Sequence, residues 1–145
     1  MTKEGKIIDP SIEMRRKNER LFYLVNEHFH NDITAKRIIN IYREANDNPN
    51  SAFTILYKIR DQLCDEFSES DIGRNCQEKL EKILGITEND FSYFGEVTND
   101  PSIRQSRHAG KKDVELRDAT TDEMREIRRI AKDMIFAYLE YLDAK

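Results

Sequence analysis

From Asn99 to Lys112 the chain reads Asn-Asp-Pro-Ser-Ile-Arg-Gln-Ser-Arg-His-Ala-Gly-Lys-Lys. Between Pro101 and Lys112 there are four formal positive charges and no acid, in a chain whose net charge is -4. Asp100 and Pro101 predict a helix start and Gly110 a stop, so residues 101–109 are expected to form a short helix. At about 100° per residue, Arg104, Arg107 and His108 then fall within roughly 100° of arc and share one face. An arginine offers a planar fork matched to phosphate oxygens and keeps its charge, while histidine exchanges protons near neutral pH. A metal-independent ribonuclease needs both services: a base for the 2′-hydroxyl and donors for the charge building on phosphorus. His108, Arg104 and Arg107 are therefore the catalytic candidates. A second acid must protonate the leaving oxygen, and one histidine per chain does not easily do both, so a two-fold homodimer pairing two sites is expected.

Other residues could extend this site into a nucleic-acid interface. Asn99, Lys111 and Lys112 flank it, and Arg125 and Arg128 lie with Arg129 and Lys132 along one exposed side of the last helix. Glu126 and Asp133 are interspersed there, which equally describes an ordinary salt-bridged surface. The basic segment has a plain alternative too, as a solvated face partnered by Asp113, Glu115 and Asp118. A third account is a non-catalytic module that holds RNA or an acidic protein partner on the same basic face.

Further chemistry is not expected. His28 and His30 are two apart, which sends them to nearly opposite sides of a helix, without the i, i+4 spacing of helical metal ligands. No metal site is assigned. Gly-rich phosphate loops and hydrolase elbows are missing, and with Gly 5 in the whole chain no cofactor is assigned. Cys64 is expected as a buried inert thiol beside a core stripe, and Cys76 as a free thiol near Arg74. Asp61, Asp65, Glu66, Glu69 and Asp71 form an acidic patch that could complement a basic segment.

The elements that must position these residues are legible from caps and apolar spacing. Asp9-Pro10-Ser11 opens a helix expected to run to about His30, with Leu21, Leu24, Val25 and Phe29 on its inner side. Asn31-Asp32 resets the cap for a short second helix carrying Ile33, Ile38, Ile39, Ile41 and Tyr42. Phe53, Leu56, Ile59, Leu63 and Phe67 recur at spacings of three and four and define the third. Leu80, Ile83 and Leu84 form a short piece stopped by Gly85, and Thr87 caps the next, with Phe91, Phe94 and Val97 inward. Thr120 and Glu123 make a capping box, after which Met124, Ile127, Ala131, Met134, Tyr138 and Leu142 trace a stripe of over five turns. No segment alternates as a strand would. The expected fold is an all-α, single-domain bundle over 1–145, with about five main helices and two short ones.

Composition bounds the rest. The chain has 145 residues, 38% hydrophobic and 36% charged, with Phe 7 and Tyr 6 to anchor a core. That is too apolar for disorder and suits helices with wet outer faces. Two cysteines twelve apart, without a CxxC, make a disulfide framework and a structural zinc site unexpected. No window approaches the roughly 18 apolar residues of a membrane span, and Met1 to Asp9 lacks a signal-peptide core, so no membrane partner and a cytoplasmic location are expected.

Asn99, Arg104, Arg107, His108, Ala109 and Gly110, placed just before a long final helix in an all-α chain, resemble the HEPN superfamily. The helix order extends the likeness more weakly over most of the chain. The resemblance implies a metal-independent endoribonuclease, or a protein derived from one, of bacterial defence or toxin–antitoxin type, with its site completed by dimerisation. The family pattern is Arg-x(4–6)-His, whereas Arg104 and His108 enclose three residues. That shorter spacing leans toward the binding module.

Overall fold

The computed structural model describes residues 9–145, apart from the side chain of Lys112; residues 1–8, where a leader was sought, lie outside it. The described chain is all helix and turn, with six α-helices. Its start follows the local chemistry: Asp9 Oδ1 accepts from Ser11 N–H and from Ser11 Oγ, both at 2.9 Å, and Pro10 begins α1 (Pro10–His28). The helix stops two residues before the expected His30. Asp32 caps α2 (Ile33–Asp47) by accepting from Ala35 N–H at 2.8 Å, and this helix is a full 15 residues rather than short. Pro49 opens a 3-10 turn that leads into α3 (Ala52–Glu66).

A four-residue α4 (Cys76–Lys79) runs on into a π-helical turn, Leu80–Leu84. Gly85 ends it at φ 76°, the left-handed conformation that a side chain disfavours. Thr87 then caps α5 (Glu88–Thr98), accepting from Asp90 N–H at 3.1 Å. The capping box at Thr120 and Glu123 forms with both bonds present and launches α6 (Thr121–Asp143).

Two helices organise the core. α3 packs on α2, α5 and α6, and α6 in turn touches α1, α2 and α5. The predicted stripe of α3 is inside: Phe53, Leu56, Ile59 and Leu63 are fully buried and Phe67 nearly so. From α6, Ile127, Ala131, Met134 and Tyr138 are buried, while Met124 and Leu142 at its ends are half-buried. Burying one such side chain is worth about 1.5–3 kcal/mol, so these two stripes make a large contribution to the favourable side of folding. Tyr138 also donates to Asp32 Oδ1 at 3.0 Å, tying the middle of the core to the cap of α2. α1 sits on the outside. It buries Leu24 and is pinned to α6 by Arg20 on Glu140 (2.7 Å) and Asp143 (3.0 Å) and by Lys17 on Asp133 (3.4 Å).

The cysteines correct the sequence reading. Cys64 and Cys76 are bonded to each other, with their Cα atoms 5.4 Å apart, so neither is a free thiol. Spacing along the chain hides this pairing, because the Ser68–Gly73 break turns the first residue of α4 back onto α3. Gly73 helps that return: it has φ +80°, and a Cβ there would meet Lys79 N at 2.8 Å.

Candidate nucleic-acid interface

The segment between α5 and α6 begins as the sequence suggests and then departs from it. Asp100 Oδ1 accepts from Ser102 N–H at 2.9 Å and from Ser102 Oγ at 2.7 Å, repeating the start of α1. No helix follows: residues 101–110 form successive turns. The backbone N–H groups that a helix would use are taken by distant carbonyls. Arg104 donates to Arg117 O at 2.9 Å, Arg107 to Thr98 O at 2.8 Å and Gly110 to Pro101 O at 2.9 Å. Arg117 N–H returns to Ser102 O at 2.8 Å, making an isolated parallel bridge of Ile103 and Arg117. Ile103 is fully buried, and its burial together with these long-range backbone bonds takes the place of the expected helix. Capping syntax starts a turn; tertiary burial decided what came after.

Gln105, which the sequence reading missed, holds the segment in place. It is 9% exposed, and its Oε1 accepts from Ala119 N–H at 2.9 Å. Its backbone carbonyl accepts from Thr54 N–H at 3.3 Å, in the first turn of α3. Ser51, at the cap position of α3, makes no side-chain cap. The loop therefore supplies an acceptor for one of the orphan donors of α3. The sequence carries no signal for this, because Ser51 is itself a favoured N-cap residue and only the structure shows that it makes no cap bond.

The candidate residues are consequently dispersed. Arg104 is exposed, with Nε 3.3 Å from Asp118 Oδ1, as in the plain account of the basic segment. Arg107 is exposed and turned the other way, its Nη1 donating to Asn99 Oδ1 at 2.8 Å. Its guanidinium carbon lies 4.2 Å from the centroid of the Tyr57 ring. Arg60 lies 5.1 Å from the same ring and 4.9 Å from that of Phe91. Tyr57 and Phe94 are stacked at 6.4 Å. Two arginines from different elements thus share one tyrosine on α3, flanked by aromatic rings from α5. His108 is half-buried, and its carbonyl accepts from Lys111 N–H at 3.0 Å. Lys111 is exposed at the start of a 3-10 turn; the Lys112 side chain is outside the described residues.

Arg125 and Arg128 do come together. With Ala119, Thr120, Thr121 and Met124 they line an open groove of about 510 Å³ at the start of α6. Arg125 is paired with Asp122 one turn back. Arg128 is half-buried, its Nε is buried without a hydrogen-bond acceptor, and no carboxylate pairs with it among the described residues. It also stands near Tyr42, whose hydroxyl is pushed up by burial and drawn back by the Arg128 charge. Arg129 follows the salt-bridged account, reaching Asp90, Glu126 and Asp133 at 2.9–3.0 Å. Beside the groove, the Arg117 guanidinium and the Thr120 backbone hold the Glu123 carboxyl at about 2 against desolvation.

Elsewhere, His28 Nε2 lies 3.0 Å from Asp143 Oδ1, and His30 meets Phe29 edge-on. Among the described residues no group of three His, Cys, Asp or Glu is placed to hold a metal ion, and no helix is long and apolar enough to cross a membrane. Comparison with known protein families, with curated proteins and with solved structures found no match.

Proposed function

We propose that this chain is a non-catalytic helical module that binds single-stranded RNA. The observation that carries the reading is the pair of guanidinium groups on Tyr57. An exposed cation stacked on an aromatic ring presents both a planar surface for a base and charge for a phosphate, the combination used by proteins that track single strands. Arg107 has five N–H donors and spends one on Asn99. Arg128 and the groove beside it offer a second phosphate position. Binding is favoured over cleavage because Arg104 and Arg107 are engaged on Asp118 and on Asn99 with Tyr57, rather than converging on one face with His108. The net charge of -4 supports a local contact over charge-driven coating of a polymer. The HEPN likeness belongs to this proposal, with Arg107 of its motif serving as a phosphate ligand in a defence or toxin–antitoxin setting.

The test is fluorescence anisotropy with a mixed-sequence single-stranded RNA in EDTA, with a gel on the same samples. Binding without cleavage is expected, weakening as salt rises. Arg107→Ala and Arg60→Ala should each cost about 1–2 kcal/mol, or about 5–30-fold in Kd, and His108→Ala should leave affinity unchanged. RNA that is cut by the wild type and spared by His108→Ala restores the ribonuclease reading. Failure to bind RNA removes both.

A further inference from the structure

The side of α1 turned away from α6 carries two large exposed apolar side chains set among polar ones. Met14 is 67% exposed and Phe22 69%, and both sit on a shallow face with Ser11, Arg15, Asn18 and Glu19. The inward positions Lys17, Arg20, Leu24 and His28 are occupied by contacts within the chain, whereas this face touches nothing among the described residues. Arg15 and Glu19 are one turn apart and oppositely charged, yet neither makes an ion pair among the described residues. Arg before Glu is the less favourable order for an i, i+4 pair within a helix.

We infer that this face is an isologous interface on which a second copy of the chain docks, α1 against α1, antiparallel about a two-fold axis at Asn18. The face is complementary to itself in that register. Met14 and Phe22 lie four residues either side of Asn18, so each apolar side chain meets the other kind on the copy: Met14 on the partner's Phe22, Phe22 on the partner's Met14. Arg15 comes within two residues, about 3 Å along the axis, of the partner's Glu19, in reach of a long side chain. This happens twice by symmetry, and each of the two charges gains an ion-pair partner. Asn18 meets its own copy on the axis, where two amides can exchange N–H···O bonds, and a polar pair at the centre fixes the register. A parallel pairing would set Arg15 beside Arg15 and Glu19 beside Glu19.

The inference is independent of RNA binding. α1 has 19 residues, a seam of roughly 28 Å at 1.5 Å per residue. One such seam is at the low end of specific interfaces, so a dimer with Kd of about 1–100 µM is expected. Sedimentation velocity of the full chain across that range tests it, with the helical circular dichroism of each variant checked in parallel. Phe22→Glu should weaken association at least about tenfold. Arg15→Glu and Glu19→Arg should each weaken it, and the double variant Arg15→Glu/Glu19→Arg should recover it, because the swapped charges again face opposite partners. The inference is overturned by a wild type that stays monomeric throughout, by a dimer indifferent to Phe22→Glu, or by a double variant no better than the worse single one.

Discussion

The Cys64–Cys76 bond makes a quantitative statement about stability. It closes a loop of sequence separation 12 between the end of α3 and the start of α4. In the chain-entropy account, a closure of that length removes about 10 cal/mol/K from the unfolded ensemble, or about 3 kcal/mol near 25 °C. Both cysteines are half-buried at the margin of the core, and the α3 and α6 stripes do not depend on them. Opening the bond should therefore loosen residues 65–75 and lower stability without unfolding the bundle. For a chain near 150 residues, about 3 kcal/mol corresponds to a fall in Tm of roughly 6–12 °C. The assay is calorimetry of the wild type with and without a phosphine reductant, beside Cys64→Ser/Cys76→Ser, with alkylation and mass spectrometry counting free thiols. The double variant should melt with the reduced wild type and ignore reductant, and far-UV circular dichroism at 20 °C should be the same for all. Two free thiols in unreduced protein would refute the pairing. A Tm unmoved by reduction that alkylation proves complete would refute the entropic argument. The bond persists only where the surroundings are oxidising, so the protein would be less stable in a reducing compartment.

Met134→Ala and Ile127→Ala remove fully buried atoms from the α6 stripe, and each should cost about 2–5 kcal/mol in urea unfolding with an unchanged m value. Tyr138→Phe keeps the ring and deletes the hydroxyl that donates to Asp32; a loss of about 1–2 kcal/mol is expected, and no loss would mean that Asp32 is served equally well by Ala35 alone. Glu123 has a folded-state pKa of about 2 against an ordinary 4.5, lowered chiefly by Arg117. Its contribution should be fully present above pH 4.5 and fade as pH falls toward about 2. Chemical denaturation at steps through that window should show the wild type converging on Glu123→Gln, and a constant gap would exclude the linkage.

The candidate site was only partly readable. Arg125 and Arg128 were placed together by helical spacing alone, and they share a groove, because a regular helix fixes the angle between its residues. Arg104, Arg107 and His108 were grouped by the same arithmetic, and the grouping failed because the helix it assumed does not form. Tyr57 and Arg60 were not singled out at all, and Phe91 was read only as an inward core position. Each reads as an ordinary member of an amphipathic helix, and their meeting with Arg107 depends on how α3, α5 and the following loop pack.

Local chemistry in the sequence determined where four of the five long helices begin and, for all five, which side is buried. Caps such as Asp9, Asp32, Thr87 and Thr120 act within three residues, and an apolar stripe is a property of one helix. Tertiary structure alone decided the events between distant residues. The two Asp-Pro-Ser-Ile tetrapeptides make the same cap, yet one launches α1 and the other enters turns, because Ile103 is drawn into the core and Arg104, Arg107 and Gly110 bond to remote carbonyls. The same holds for the Cys64–Cys76 bond and for the acceptor that Gln105 lends to α3. Each needs two segments brought together by the burial of others, and that information is spread over the whole core rather than written at either segment.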